Sequence, residues 1–135
     1  MGGRTNGFHG HNADLMRYAF DVWWQRIGNT DAAGICKLLS SECCNFPQLA
    51  QFYLDEVVQP GNALVRKILE RGITRGEFRP VDLNAGIHLV LMPMFAFMQW
   101  RYSMGVCFPD SLGISSDQFF ATQVENLLLG LRAQP

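Results

Sequence analysis

Apolar positions recur along this chain with the period of an α-helix. Met16, Phe20, Trp23 and Ile27 fall on one line at i, i+4, i+7 and i+11, Leu15, Ala19 and Val22 widen that line, and Arg17, Asp21 and Gln25 sit opposite. The pattern predicts a first helix from residue 12 or 13 to residue 27, with Asn12 as its N-cap and Gly28-Asn29 as its stop. A second helix is predicted from Thr30 to about Cys44, turning Ile35, Leu38 and Leu39 inward. A third starts near Pro47, a residue suited to a first turn, and reaches Arg71. Pro60 lies inside it, removes one backbone bond and collides with the preceding turn, so a kink is expected at residues 57–61. Asp82 then caps a fourth helix over residues 83–104, which is apolar almost all round. Residues 105–116 read as a loop. Ser116 caps a last helix over residues 117–132, with the stripe Phe120, Val124, Leu127, Leu128 and Leu131. There is no strand-like alternation of useful length and no internal repeat.

Composition narrows what such helices can do. The 135 residues fit one domain, and 48% hydrophobic content supports a packed core. Formal net charge is -1, so the chain lacks the basic excess expected of a nucleic-acid binder. Residues 1–11, rich in glycine, read as a flexible leader ahead of a helical domain at 12–135, and they do not resemble a signal peptide. Cys36, Cys43, Cys44 and Cys107 have no CxxC spacing, and a bond between the adjacent pair would be strained; reduced thiols and a cytoplasmic location are expected. The longest apolar run, residues 89–98, is about half of a membrane span and contains Pro93, so no membrane association is expected.

Candidate chemistry is sparse. No GxSxG, HExxH or paired-carboxylate spacing occurs, so catalysis is not expected. His9-Gly-His11 lacks further ligands, and Cys43 and Cys44 point about 100° apart on a helix, so neither metal nor cofactor is expected. The basic group Arg66, Lys67, Arg71, Arg75 and Arg79 reads as a solvated helix end, with Arg66 and Glu70 paired at i, i+4. On the fourth helix, His88, Met92, Phe95 and Gln99 gather on one face; Val90, Met94, Phe97 and Arg101 gather on the other. The first face mixes apolar bodies with polar handles. It suits a pocket wall, a half-exposed stripe or an interface.

Three segments carry a resemblance. They are the stretch FPQLAQFYLDEVVQPGNALVRKILERGITRGEFRP at residues 46–80, the proline-containing LVLMPMFAFMQW, and the ending VENLLLGLRAQP. In this order and spacing, covering residues 13–133, the chain resembles the C-terminal domain of TetR-type transcriptional regulators. The resemblance implies an all-α, five-helix bundle that senses a small molecule and dimerises through its last two helices. It implies a ligand cavity between the first, third and fourth helices, lined by Met16, Phe20, Trp23, Phe52, Tyr53 and Met92, to which the face of the fourth helix adds His88, Phe95 and Gln99. The effector would be hydrophobic or aromatic, with Cys36 a further polar contact. The homodimer interface would use Val90, Met94, Phe97, Arg101, Phe120, Val124, Leu127, Leu128 and Leu131. Family members carry a DNA-binding helix-turn-helix domain upstream. The residues before Asn12 are too few for one, so DNA would be reached only through a domain missing here, in a fragment or a headless protein. The alternative is a stand-alone helical dimer that binds hydrophobic ligands or a protein partner and has no part in transcription.

Overall fold

The structure, a computed structural model, describes residues 12–28 and 30–133. Among these it is all-α. Helix α1 (Asn12–Trp23) runs into a π-helical turn (Trp24–Gly28), followed by α2 (Ala32–Glu42). Helix α3 (Pro47–Tyr53), a second π-helical turn (Leu54–Val58) and α4 (Gln59–Thr74) follow one another without a break. Then come α5 (Leu83–Arg101), the short α6 (Met104–Cys107) and α7 (Ser116–Leu131). The expected kink at residues 57–61 takes the form of the second π turn. The amide of Gln59 bonds the carbonyl of Leu54, five residues back, immediately before Pro60. Widening the helix there is a known way to absorb a residue that cannot donate in the regular ladder.

Several ends follow the sequence closely. Asp82 accepts a hydrogen bond from the Ala85 amide at 2.8 Å and caps α5. Pro47 stands in the first turn of α3. The cap of α7 is Ser115 rather than Ser116. Ser115 Oγ accepts from the Gln118 amide at 3.2 Å while Gln118 Oε1 accepts from the Ser115 amide at 3.2 Å, a reciprocal capping box. Helix α4 passes through Gly72 to Thr74 instead of stopping at Arg71. Gly72 is required there because a Cβ would stand 2.1 Å from the ring of buried Phe78. Gly76, with φ of 76°, then turns the chain.

The cap of α1 is the largest departure. Asn12 does not cap by its own side-chain oxygen. Instead the carboxylate of Glu77 accepts from the Asn12 amide at 2.8 Å, the Ala13 amide at 2.9 Å and Asn12 Nδ2 at 3.1 Å. A negative group suits the positive end of a helix. The same short segment holds the end of α7. Phe78 and Arg132 form an isolated antiparallel bridge, the Arg79 amide donates to the Leu131 carbonyl at 2.8 Å, and the Ala133 amide donates to the Glu77 carbonyl at 3.3 Å.

The principal core joins α1, α4, α5 and α7 through Met16, Phe20, Ile68, Leu69, Val90, Met94, Val124 and Leu131, with Phe78 beneath. A second cluster packs Ala33 and Cys36 of α2 on Met98 of α5, flanked by Trp23, Tyr53, Phe95 and Tyr102. The inward face of α2 is therefore Ala33, Cys36 and Leu39, while Ile35 and Leu38 are each 55% exposed. Small side chains let α2 approach Met98; the expected face, led by Ile35 and Leu38, would hold it away. On the first helix Trp24 is buried at i+8 from Met16, and its ring lies 4.6 Å from Phe120 and 5.9 Å from Phe97 by centroid. Arg101 sits 5.4 Å over the Trp24 ring.

Helix α5 is, by length and composition alone, long and apolar enough to cross a membrane. In this fold Ile87, Val90, Met94, Phe97 and Met98 are buried on its inner side.

Candidate functional site

Among the described residues, two of the concavities built on α5 bear on function. The first is an open groove of about 850 Å³ between α5 and α7. Its floor is the outer edge of the principal core at Leu69, Val90 and Leu131, and its walls include Leu89, Pro93, Phe119 and Leu127. Small residues keep it open: Ala85 and Gly86 on α5, Thr122 and Gly130 on α7. Pro93 has no N–H to give the Leu89 carbonyl, and the Leu89 side chain is 68% exposed. Across the groove Gln123 Nε2 donates to the Val90 carbonyl at 2.8 Å. Its Oε1 is buried with no hydrogen-bond partner among the described residues. At one end Arg79 Nε donates to the Gly130 carbonyl at 2.7 Å, close to the Glu77 junction.

The second is an open cleft of about 360 Å³ between α2, α3, the second π turn and α5. Cys36, Leu39, Ser40 and Cys43 come from α2; Pro47, Ala50, Gln51 and Tyr53 from α3; Leu54 and Val58 from the π turn; Phe95 from α5. Tyr53 O–H donates to Cys36 Sγ at 2.6 Å. Burial pushes the Cys36 thiol above its ordinary 9.0, against smaller opposing pulls from the Tyr53 bond and the backbone. Burial, then the bond to Cys36, raises the Tyr53 hydroxyl well above its ordinary 10.0. Both groups are therefore neutral at pH 7.

The residues expected to line one cavity do not meet around one. Met16 and Phe20 are buried in the principal core, and Phe20 edges a separate concavity beside Trp24 and Phe120 on the α7 side, away from Tyr53 and Phe95. Trp23 is half-buried between the two clusters. Tyr53 and Phe95 do line the smaller cavity. Phe52 is 63% exposed, His88 is exposed and Met92 is 55% exposed. Gln99 Nε2 donates to Ser40 Oγ at 2.9 Å, beside the cavity but not in its wall. The space falls between α2, α3 and α5 because α1 packs on α4 and α7, leaving α2 to face α3.

The expected interface residues are likewise redistributed. Val90, Met94, Phe97, Val124 and Leu131 are buried within this one chain, and Phe120, Leu127 and Leu128 pack partly against the same core. Arg101 is occupied over Trp24. The apolar surface left over on α5 belongs to Leu89 and Met92. The basic group is partly engaged: Arg66 Nε donates to Glu70 Oε1 at 2.9 Å, as its spacing predicts, and Arg79 holds Gly130. His9, His11 and the leader lie outside the described residues, within which no three of His, Cys, Asp and Glu gather to hold a metal ion. Cys36 and inward-facing Leu39, both read from the sequence, line this space; the π turn had no signal in the sequence beyond Pro60.

Compared with protein-family models, curated proteins and solved structures, the chain matches none.

Proposed function

We propose that this chain is the small-molecule-sensing and dimerisation domain of a TetR-type transcriptional regulator. The observation that carries the reading is the groove between α5 and α7, the two helices from which the resemblance would build a dimer. Leu89 and Ile114 line the groove and are exposed, and Met92 and Leu129 are exposed on the same two helices, apolar surface of the kind that marks an interaction site. A two-fold axis would set each copy's groove rim against the other's, so one patch serves both partners. The pairing surface proposed is the outer face of α5, led by Leu89 and Met92. The smaller cavity would hold a hydrophobic or aromatic effector. An effector that favours one arrangement of the pair would change the spacing of DNA-binding domains attached to it. The domain has no catalytic part in this reading, works in the cytoplasm and touches DNA only through the attached heads.

Light scattering at micromolar concentration tests the pairing. The expected mass is twice 15.2 kDa. The double variant Leu89→Glu, Met92→Glu should give the single-chain mass with an unchanged helical circular dichroism spectrum, because each carboxylate would otherwise be buried without a partner. A single-chain mass for the unaltered protein refutes the pairing.

A further inference from the structure

We infer that the cavity between α2, α3 and α5 binds a small uncharged aromatic ketone, and that Tyr53 recognises its carbonyl by giving up its bond to Cys36. The inference rests on the ligand-sensing half of the function proposed above. Three observations fix the chemical class. First, the volume of about 360 Å³ lies at the lower end of small-molecule sites, which suits a ligand of a few rings with short substituents. Second, none of the residues lining the cavity is an Asp, Glu, Lys, Arg or His. An ionised ligand would find no opposite charge in this wall to pair with. Third, the polar groups of the wall are not equally available. Ser40 Oγ donates to the Lys37 carbonyl and accepts from Gln99. Gln51 Nε2 donates to Asp55 at 3.0 Å. Tyr53 alone gives its proton to a thiol sulfur, a weak acceptor.

A carbonyl oxygen is a better acceptor than that sulfur, so exchanging one for the other favours the ligand. Cys36 then stays as what a buried thiol already is, a small apolar group. The donor also sets the polarity of recognition. A ligand whose only polar group is a donor gains nothing from the Tyr53 proton and can leave the bond to Cys36 in place. The wall can adjust, since neither α3 nor the π turn Leu54–Val58 contains a buried residue.

Two uncharged naphthalene fluorophores separate these points: prodan, which bears a ketone, and N-phenylnaphthylamine, which has no carbonyl. Both are expected to bind the unaltered protein with enhanced, blue-shifted emission. Tyr53→Phe is expected to weaken prodan about tenfold, the worth of one well-made buried hydrogen bond, and to leave N-phenylnaphthylamine within about twofold. Ala50→Trp, on the exposed helix α3, should fill the cavity and abolish both signals while circular dichroism stays unchanged. Equal prodan affinity in Tyr53→Phe overturns the inference. So does failure of the unaltered protein to bind prodan, or binding of anionic anilinonaphthalene sulfonate as tightly as prodan. Light scattering on the same samples keeps the two readings apart. A dimer without prodan binding overturns this inference alone, and a monomer that binds prodan through Tyr53 supports it while refuting the pairing.

Discussion

At the scale of single residues, the pair Tyr53 and Cys36 links burial to pH. Both hydroxyl and thiol titrate above their ordinary values because the folded chain withdraws them from water. A group with a raised folded pKa holds its proton longer folded than unfolded. The stability it contributes is whole below the unfolded value, pH 9.0 for the thiol, and drains away as pH rises towards the folded one. Thermal melts should therefore show no loss from this pair between about pH 6 and about pH 8, then a falling midpoint above about pH 9. The double variant Cys36→Ala, Tyr53→Phe should fall less steeply over the same alkaline range, and an identical slope would speak against the pair as the cause. Neither partner announces the other in the sequence, since they stand 17 positions apart on different helices. Glu77 is a harder case still. Its sequence neighbours suggest a carboxylate diluting a basic stretch, yet it caps a helix that begins 65 positions earlier. Side-chain partners across such distances are decided by packing, which local pattern does not encode.

At the scale of elements, legibility tracks how strongly the pattern discriminates between faces. Ends were readable where the cap is local, as at Asp82 and, within one residue, at Ser115. The α7 box predicts its own test. Ser115→Ala should cost about 1 kcal/mol in urea unfolding and speed amide exchange in the first turn of α7, with the rest of the helix protected as before. Faces were readable on α1, where polar and apolar sides contrast, and much less so on α5. A helix apolar all round gives no preferred direction, so Val90, Met94 and Phe97 could be assigned to a partner copy as easily as to the chain's own core. On α2 the hydrophobic scale points the wrong way. Ile35 and Leu38 outrank Ala33 and Cys36 in apolarity, but close approach to Met98 selects for small size. The second π turn was hidden for a related reason: Pro60 signals that the ladder must change, not how.

At the scale of the whole molecule, the all-α class was visible in the sequence, while the short helix Met104–Cys107, largely in a stretch read as a loop, and the positions of the concavities were not. The concavities depend on which helices pack against which, a choice made by the whole set of side chains together. The junction at Glu77 is where that choice closes on itself. Its carboxylate holds the amide of Asn12, and its carbonyl holds the amide of Ala133. Both ends of the described residues are thus tied to Glu77, and a covalent link between them would follow a path the fold already makes. A circular permutant that joins Ala133 to Asn12 through a short glycine-serine link, and starts instead at Ile114 after the exposed turn at Gly113, should retain the helical spectrum and a single cooperative melt. A permutant that melts without cooperativity would mean that the order in which the helices are connected, and not only their contacts, holds this architecture together.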